Sequence, residues 1–79
     1  MYCVYIISSL SEPNQKYVGF TSNINNRLAD HNAGKCSHTA RFMPWKLNNA
    51  IFFNNKEKAL EFESYLKSGS GRSFITKHF

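Results

Sequence analysis

Carboxylates are scarce in this chain of 79 residues: Glu12, Asp30, Glu57, Glu61 and Glu63 stand against ten lysines and arginines. A site that holds two metal ions between several inward-pointing acids has little to draw on here. Cysteine is scarce too. Cys3 and Cys36 alone make no disulfide framework, so a reduced, cytoplasmic setting is the simpler expectation. No apolar run is long enough to span a bilayer, and the first residues lack the basic stretch of a signal peptide, so no membrane association is expected. The length suits one domain, residues 1–79, with one modest core.

What the chain does have is positive charge and aromatic rings. Its formal net charge is +5, and it carries seven Phe, four Tyr and one Trp. That apolar content implies an ordered fold. The charge points to a polyanionic partner, of which nucleic acid is the commonest, although solubility alone would also account for it.

Tyr2 to Ser9 is apolar on both faces and reads as a strand covered on both sides. Ser11 to Gln15, with Pro13 and Asn14, reads as a turn. Lys16 to Phe20 returns as the antiparallel partner, which brings Tyr5 and Tyr17 near one another on neighbouring strands. A helix is predicted from about Ile24 to Ala33, capped by Ser22 or Asn23 and stopped by Gly34. Lys35 to Pro44 reads as a loop in which Lys35, His38 and Arg41 are interleaved with Thr39 and Phe42, as suits a nucleic-acid groove. Trp45 to Phe53 is predicted to be a third strand with Trp45, Leu47, Ile51 and Phe53 on one face. Asn55 caps a second helix running to about Lys67, with Ala59, Phe62 and Leu66 as its buried stripe. Gly69-Ser70-Gly71 punctuates the chain before a short last helix, Arg72 to Lys77. The start of that helix beside Arg72 offers a place for phosphate, a plain turn being the simpler reading.

Two helical positions carry chemistry. Arg27 and His31 are four apart and share one face, along the edge of the side that Ile24 and Leu28 bury. On the second helix, steps of ~100° put Glu63 inside the apolar arc beside Ala59 and Leu60, whereas Glu61 points the other way. A carboxylate so placed must be paired, protonated or bound to a cation, and Lys67, one turn on, is the simplest partner. His31, Cys36 and His38 match no common zinc spacing, and zinc is rejected.

Cys3-Val4-Tyr5 and Tyr17-Val18-Gly19 are followed in order by Thr21, Arg27, His31-Asn32, Gly34, Thr39, Pro44-Trp45, Ala59, Glu63 and Leu66-Lys67. In that order and spacing the chain resembles the GIY-YIG nuclease domain over nearly its whole length, above all the small stand-alone bacterial, excinuclease-like members. Cys3 stands where the first glycine would be, a change that touches no chemical group. The polar Asn that many members carry late in the domain has no counterpart, and Gly69-Ser70-Gly71-Arg72-Ser73-Phe74 stands there, as in the stand-alone subgroup.

The resemblance implies an α+β fold, an α/β sandwich in which helices flank a three-stranded antiparallel sheet. It also implies a metal-dependent DNA endonuclease, with DNA repair or recombination within its range. One divalent ion, Mg2+ or Mn2+, would sit at Glu63, since magnesium accepts one carboxylate completed by water and phosphate. Tyr5 is then the general base, Tyr17 a hydrogen-bond partner of the phosphate or the attacking water, and Arg27 a stabiliser of developing charge. His31 orients or relays the proton, and by its ordinary pKa it is also the rival base. A tyrosine pKa of about 10 requires positive charge nearby, from Arg27, Lys16 or the metal. Lys16, Thr21, Lys35, His38, Thr39, Arg41, Lys67 and Arg72 are the expected substrate contacts. DNA is the expected partner, RNA stays open, and no obligate protein partner is evident. The alternative is a nucleic-acid-binding module that keeps the fold and cleaves little. Tyr5, Tyr17, Arg27, His31 and Glu63 together favour the enzyme, because binding alone does not need that set.

Overall fold

A computed structural model describes residues 1–79, beginning with strand β1 (Tyr2–Ser9) and strand β2 (Lys16–Thr21). Helix α1 (Ile24–Asn32), the single-turn helix α2 (Ser37–Ala40) and strand β3 (Trp45–Phe53) follow. Helices α3 (Lys56–Leu66) and α4 (Gly69–His78) end the chain. The sheet is antiparallel throughout, in the order β2-β1-β3, and the fold is α+β. No helix is long and apolar enough to cross a membrane.

β1 lies in the middle and is covered on both faces, as its two-sided apolar sequence requires. Cys3, Tyr5 and Ile7 pack with Trp45 on one face, beside Ile24 and Leu28 of α1. Val4 and Ile6 pack on the other, with Val18, Ala59, Leu66 and Ile75. The stripe expected on α3 is there: Ala59 and Leu66 are buried, and Phe62 packs against them. Asn23 and Asn55 cap their helices by accepting the N–H of Asn26 and of Lys58.

Four expectations are corrected. Trp45, Leu47, Ile51 and Phe53 do not share a face. The register slips between Ile6, opposite Asn49, and Ile7, opposite Leu47, so Asn48 is the extra residue of a bulge. A bulge reverses the alternation, leaving Trp45 and Leu47 on the α1 side and Ile51 and Phe53 on the α3 side. The stretch expected as an open loop contains α2. The last helix starts at Gly69, not Arg72, with Ser68 capping it by accepting the Gly71 N–H. Gly71 lies inside that helix because α4 presses onto the end of α3, where an added Cβ would fall 1.9 Å from the Tyr65 carbonyl oxygen. The fourth correction concerns His31, which is not at the margin of α1 but is its one fully buried residue, 0% exposed.

Candidate active site

The position of His31 is explained by what it touches. Its Nε2 lies 2.8 Å from the Tyr5 hydroxyl and its Nδ1 lies 2.7 Å from Thr39 Oγ1. Thr39 Oγ1 is placed to donate to the Cys36 carbonyl at 3.4 Å, and with its proton there it accepts from His31 Nδ1–H. That leaves Nε2 as the lone-pair side of a neutral ring, and Tyr5 O–H donates to it. Arg27 Nε donates to the same Tyr5 oxygen at 3.3 Å. The order is therefore Arg27, Tyr5, His31, Thr39, a continuous hydrogen-bonded chain drawn from α1, β1 and α2.

Local structure fixes each member. Tyr5 stands on the central strand opposite Gly19, and its ring lies directly over that glycine. An added Cβ at position 19 would come within 2.3 Å of the Tyr5 ring and hydroxyl, so only glycine leaves room. Thr39 is pinned by Trp45, whose indole N–H donates to the Thr39 carbonyl at 2.9 Å. The Asn32 side chain in turn accepts the Trp45 N–H and donates to the Trp45 carbonyl. Tyr17, diagonal to Tyr5 on β2, closes the cluster with its ring 5.3 Å from the imidazole and 6.4 Å from the Tyr5 ring. Tyr5 and His31 are wholly buried, and Arg27 and Tyr17 are half-buried.

Burial sets the electrostatics. It pushes the Tyr5 phenol above the ordinary tyrosine range, and the Arg27 hydrogen bond and charge oppose it without overcoming it. Arg27 supplies part of the positive charge expected beside Tyr5, and burial outweighs it, so the resting phenol is neutral. Burial, and then the charge of Arg27, hold His31 below its ordinary value. A neutral phenol poised against a neutral imidazole is a proton relay at rest. Arg27 belongs to neither of the protein's ion pairs, and its charge is free for an anion.

The expected substrate contacts separate into two groups. Lys16, His38, Lys67 and Arg72 line one groove with Tyr17, beside the cluster. The others do not line it. Lys35 pairs with Asp30 at 3.6 Å, and Arg41 lies over the Phe42 ring. Thr21 folds back on Asn23, accepting its N–H and donating to its carbonyl. Thr39 is 1% exposed and serves His31, not the solvent. Its role leaves no trace in sequence spacing, because the contact is made by tertiary packing.

Glu63 sits 3.0 Å from Lys67 through Oε2, with its side chain 19% exposed, so the simplest expected partner is the one present. Lys67 also lies 5.7 Å from the centroid of the Tyr17 ring and lines the groove; Glu63 is joined to the groove through Lys67. No three His, Cys, Asp or Glu side chains gather anywhere in the chain. One carboxylate beside a groove fits a hard ion that keeps most of its water, such as magnesium, and does not fit zinc, which wants three or four protein ligands.

A family model described as the GIY-YIG catalytic domain matches residues 1–76. A UPF0213 protein of Bacillus licheniformis is 40% identical over 58 residues, covering 72% of this chain and 60% of that protein. A UPF0213 protein of Streptococcus pneumoniae is 42% identical over 52 residues, covering 65% and 52%. The structure-specific endonuclease subunit SLX1 of Malassezia globosa is 34% identical over 83 aligned positions, covering 99% of this chain and 19% of that protein. The chain thus spans three-fifths or less of the length of these relatives.

Proposed function

This chain belongs to the GIY-YIG family, and from that premise we propose that it is an endonuclease hydrolysing phosphodiester bonds of DNA at the Tyr5 cluster. The observation that carries the proposal is the hydrogen-bonded order Arg27, Tyr5, His31, Thr39. Arg27 draws a phosphate oxygen to the cluster through its guanidinium. A water oxygen attacks phosphorus and forms the new P–O bond, giving its proton to the Tyr5 oxygen. Tyr5 passes its own proton to His31 Nε2. One ester P–O bond breaks with its electron pair going to the leaving oxygen, which takes a proton from solvent. Tyr5 and His31 thus act as one base in two parts. Thr39 keeps the His31 lone pair turned towards Tyr5. Tyr17 borders the phosphate position.

Glu63 is the residue to hold a divalent metal, which when bound supplies charge stabilisation for the phosphate. Lys67 is its counter-charge otherwise, and the two compete for one carboxylate. That pairing also favours a second reading, a binding module in which Glu63 is structural. A cleavage assay with Mg2+ or Mn2+ over duplex, nicked, branched and single-stranded DNA, beside Glu63→Gln, tests the proposal. Cleavage by the wild type and none by the variant supports the enzyme. No cleavage of any substrate supports the binding module.

A further inference from the structure

We infer that a second phosphate of the bound nucleic acid is held on the opposite face of the sheet from Tyr5, between Lys16 and Lys46 over the hydroxyl of Ser8. The inference rests on the reading of the Tyr17 groove as a nucleic-acid cleft. Ser8 is paired across β1 with Lys16 on one side and Lys46 on the other. Directly paired residues point to the same face, so the three side chains form one row. Neighbouring strands are ~4.8 Å apart, so the two lysines begin ~10 Å apart with Ser8 between them. A phosphate group fits that interval, with an ammonium on each side.

Three further observations make the row a site. Ser8, Lys16 and Lys46 line one pocket of about 230 Å³, with Asn48 on its wall. Ser8 is 6% exposed, and its Oγ accepts from Asn48 Nδ2 at 3.1 Å. Its own proton finds no acceptor in the protein and is available to an anion. Neither lysine takes part in an ion pair. A buried hydroxyl donor between two free ammonium groups recognises a phosphate oxygen.

Lys16 connects this pocket to the catalytic side, because it also lines the groove that holds Tyr17, Lys67 and Arg72. The two hollows share Lys16 as a wall. A backbone leaving the Tyr17 groove therefore meets Lys16 and then Lys46 as it passes the end of the sheet. This assigns Lys46, which the order of family residues did not single out, to substrate binding away from the chemistry.

The test is the salt dependence of binding to a short DNA duplex, for the wild type, Lys46→Ala and an exposed control, Lys58→Ala. Lys46 is exposed, so its loss leaves the fold intact, and an unchanged Tm checks this. The expected result is a log–log slope shallower by about one unit for Lys46→Ala than for the wild type and the control. An unchanged slope overturns the inference, even if the wild type cuts DNA well. A wild type that binds DNA without cutting it sinks the enzyme reading instead, and the slope still decides the role of Lys46. Titration with inorganic phosphate, followed by the amide signals of Ser8 and Lys46, separates the sources. Signals that move with phosphate but not with duplex make the pocket a free-phosphate site and overturn the inference.

Discussion

The Tyr5 hydroxyl and His31 Nε2 are 2.8 Å apart, joined across 26 positions of sequence inside a fully buried pair. The phenol is the donor, because the other ring nitrogen is committed to Thr39. Transfer of the Tyr5 proton has one destination. Tyr5→Phe removes that proton and the group that receives one from water, so kcat should fall about 10²- to 10⁴-fold. Duplex affinity should stay near the wild-type value, and stability should drop by roughly 1–3 kcal/mol as the imidazole loses its partner. A variant that cuts DNA at the wild-type rate sinks the relay.

Thr39→Val keeps the side-chain shape and deletes the acceptor for His31 Nδ1–H. The unpaired N–H should cost roughly 1–3 kcal/mol of stability. With its tautomer no longer fixed, His31 should accept the Tyr5 proton less often, so kcat falls while KM is unchanged. Thr39→Ser should restore the rate. A rise in KM with kcat preserved would instead return Thr39 to direct substrate binding, where the sequence had put it.

His31 gives a pH dependence of definite sign. Burial holds its folded-state pKa below the ordinary 6.5, so between those values the unfolded chain binds the extra proton and the folded chain does not. This contribution to stability is fully present above the ordinary value and is lost as pH falls through the folded pKa. Thermal melts across that window should show the wild type losing more stability on acidification than His31→Gln. The acid limb of kcat/KM should also lie below the ordinary imidazole value, since a protonated ring cannot accept from Tyr5. An acid limb above that value would show that another group titrates.

Glu63→Gln separates a metal ligand from a structural ion pair. If Glu63 carries the divalent ion, the variant should lose cleavage and keep or tighten its hold on DNA, because a charge that repels phosphate is gone. If it serves only Lys67, activity should persist. Stability should then fall by about 0.3–0.5 kcal/mol, the scale of a helix-face pair open to solvent. Glu61→Gln, on the exposed side of α3, is the matched control. Cleavage by Glu63→Gln at the wild-type rate in Mg2+ ends the metal-ligand assignment.

What was legible in the sequence follows from the range of the interactions. The strands, the Asn23 and Asn55 caps and the α3 stripe are local, written in periods of two or 3.6 and in side chains that satisfy nearby backbone. The Asn48 bulge was not legible, since Asn48-Asn49 offers no apolar alternation to mark where the phase changes. Gly69 and Gly71 misled because glycine stops a helix by default, and only the press of α4 on α3 explains a helix through them. In the site, Tyr5, Tyr17, Arg27 and His31 stood out by their order. The depth of His31 and the service of Thr39 did not, because both depend on how α1, α2 and β3 meet.

The middle place of β1 has a consequence for how the molecule can open. The backbone at Tyr5 is flanked by Gly19 on one strand and Ala50 on the other, so freeing it requires the whole sheet to come apart. Arg27 and Glu63 belong to helices at the periphery, and Lys67 caps one of them; these can loosen while the sheet persists. The amide of Tyr5 should therefore exchange with solvent at the rate of global unfolding, and those of α1 and of the end of α3 faster. Any adjustment to a bound substrate then moves the charged groups around a stationary phenol.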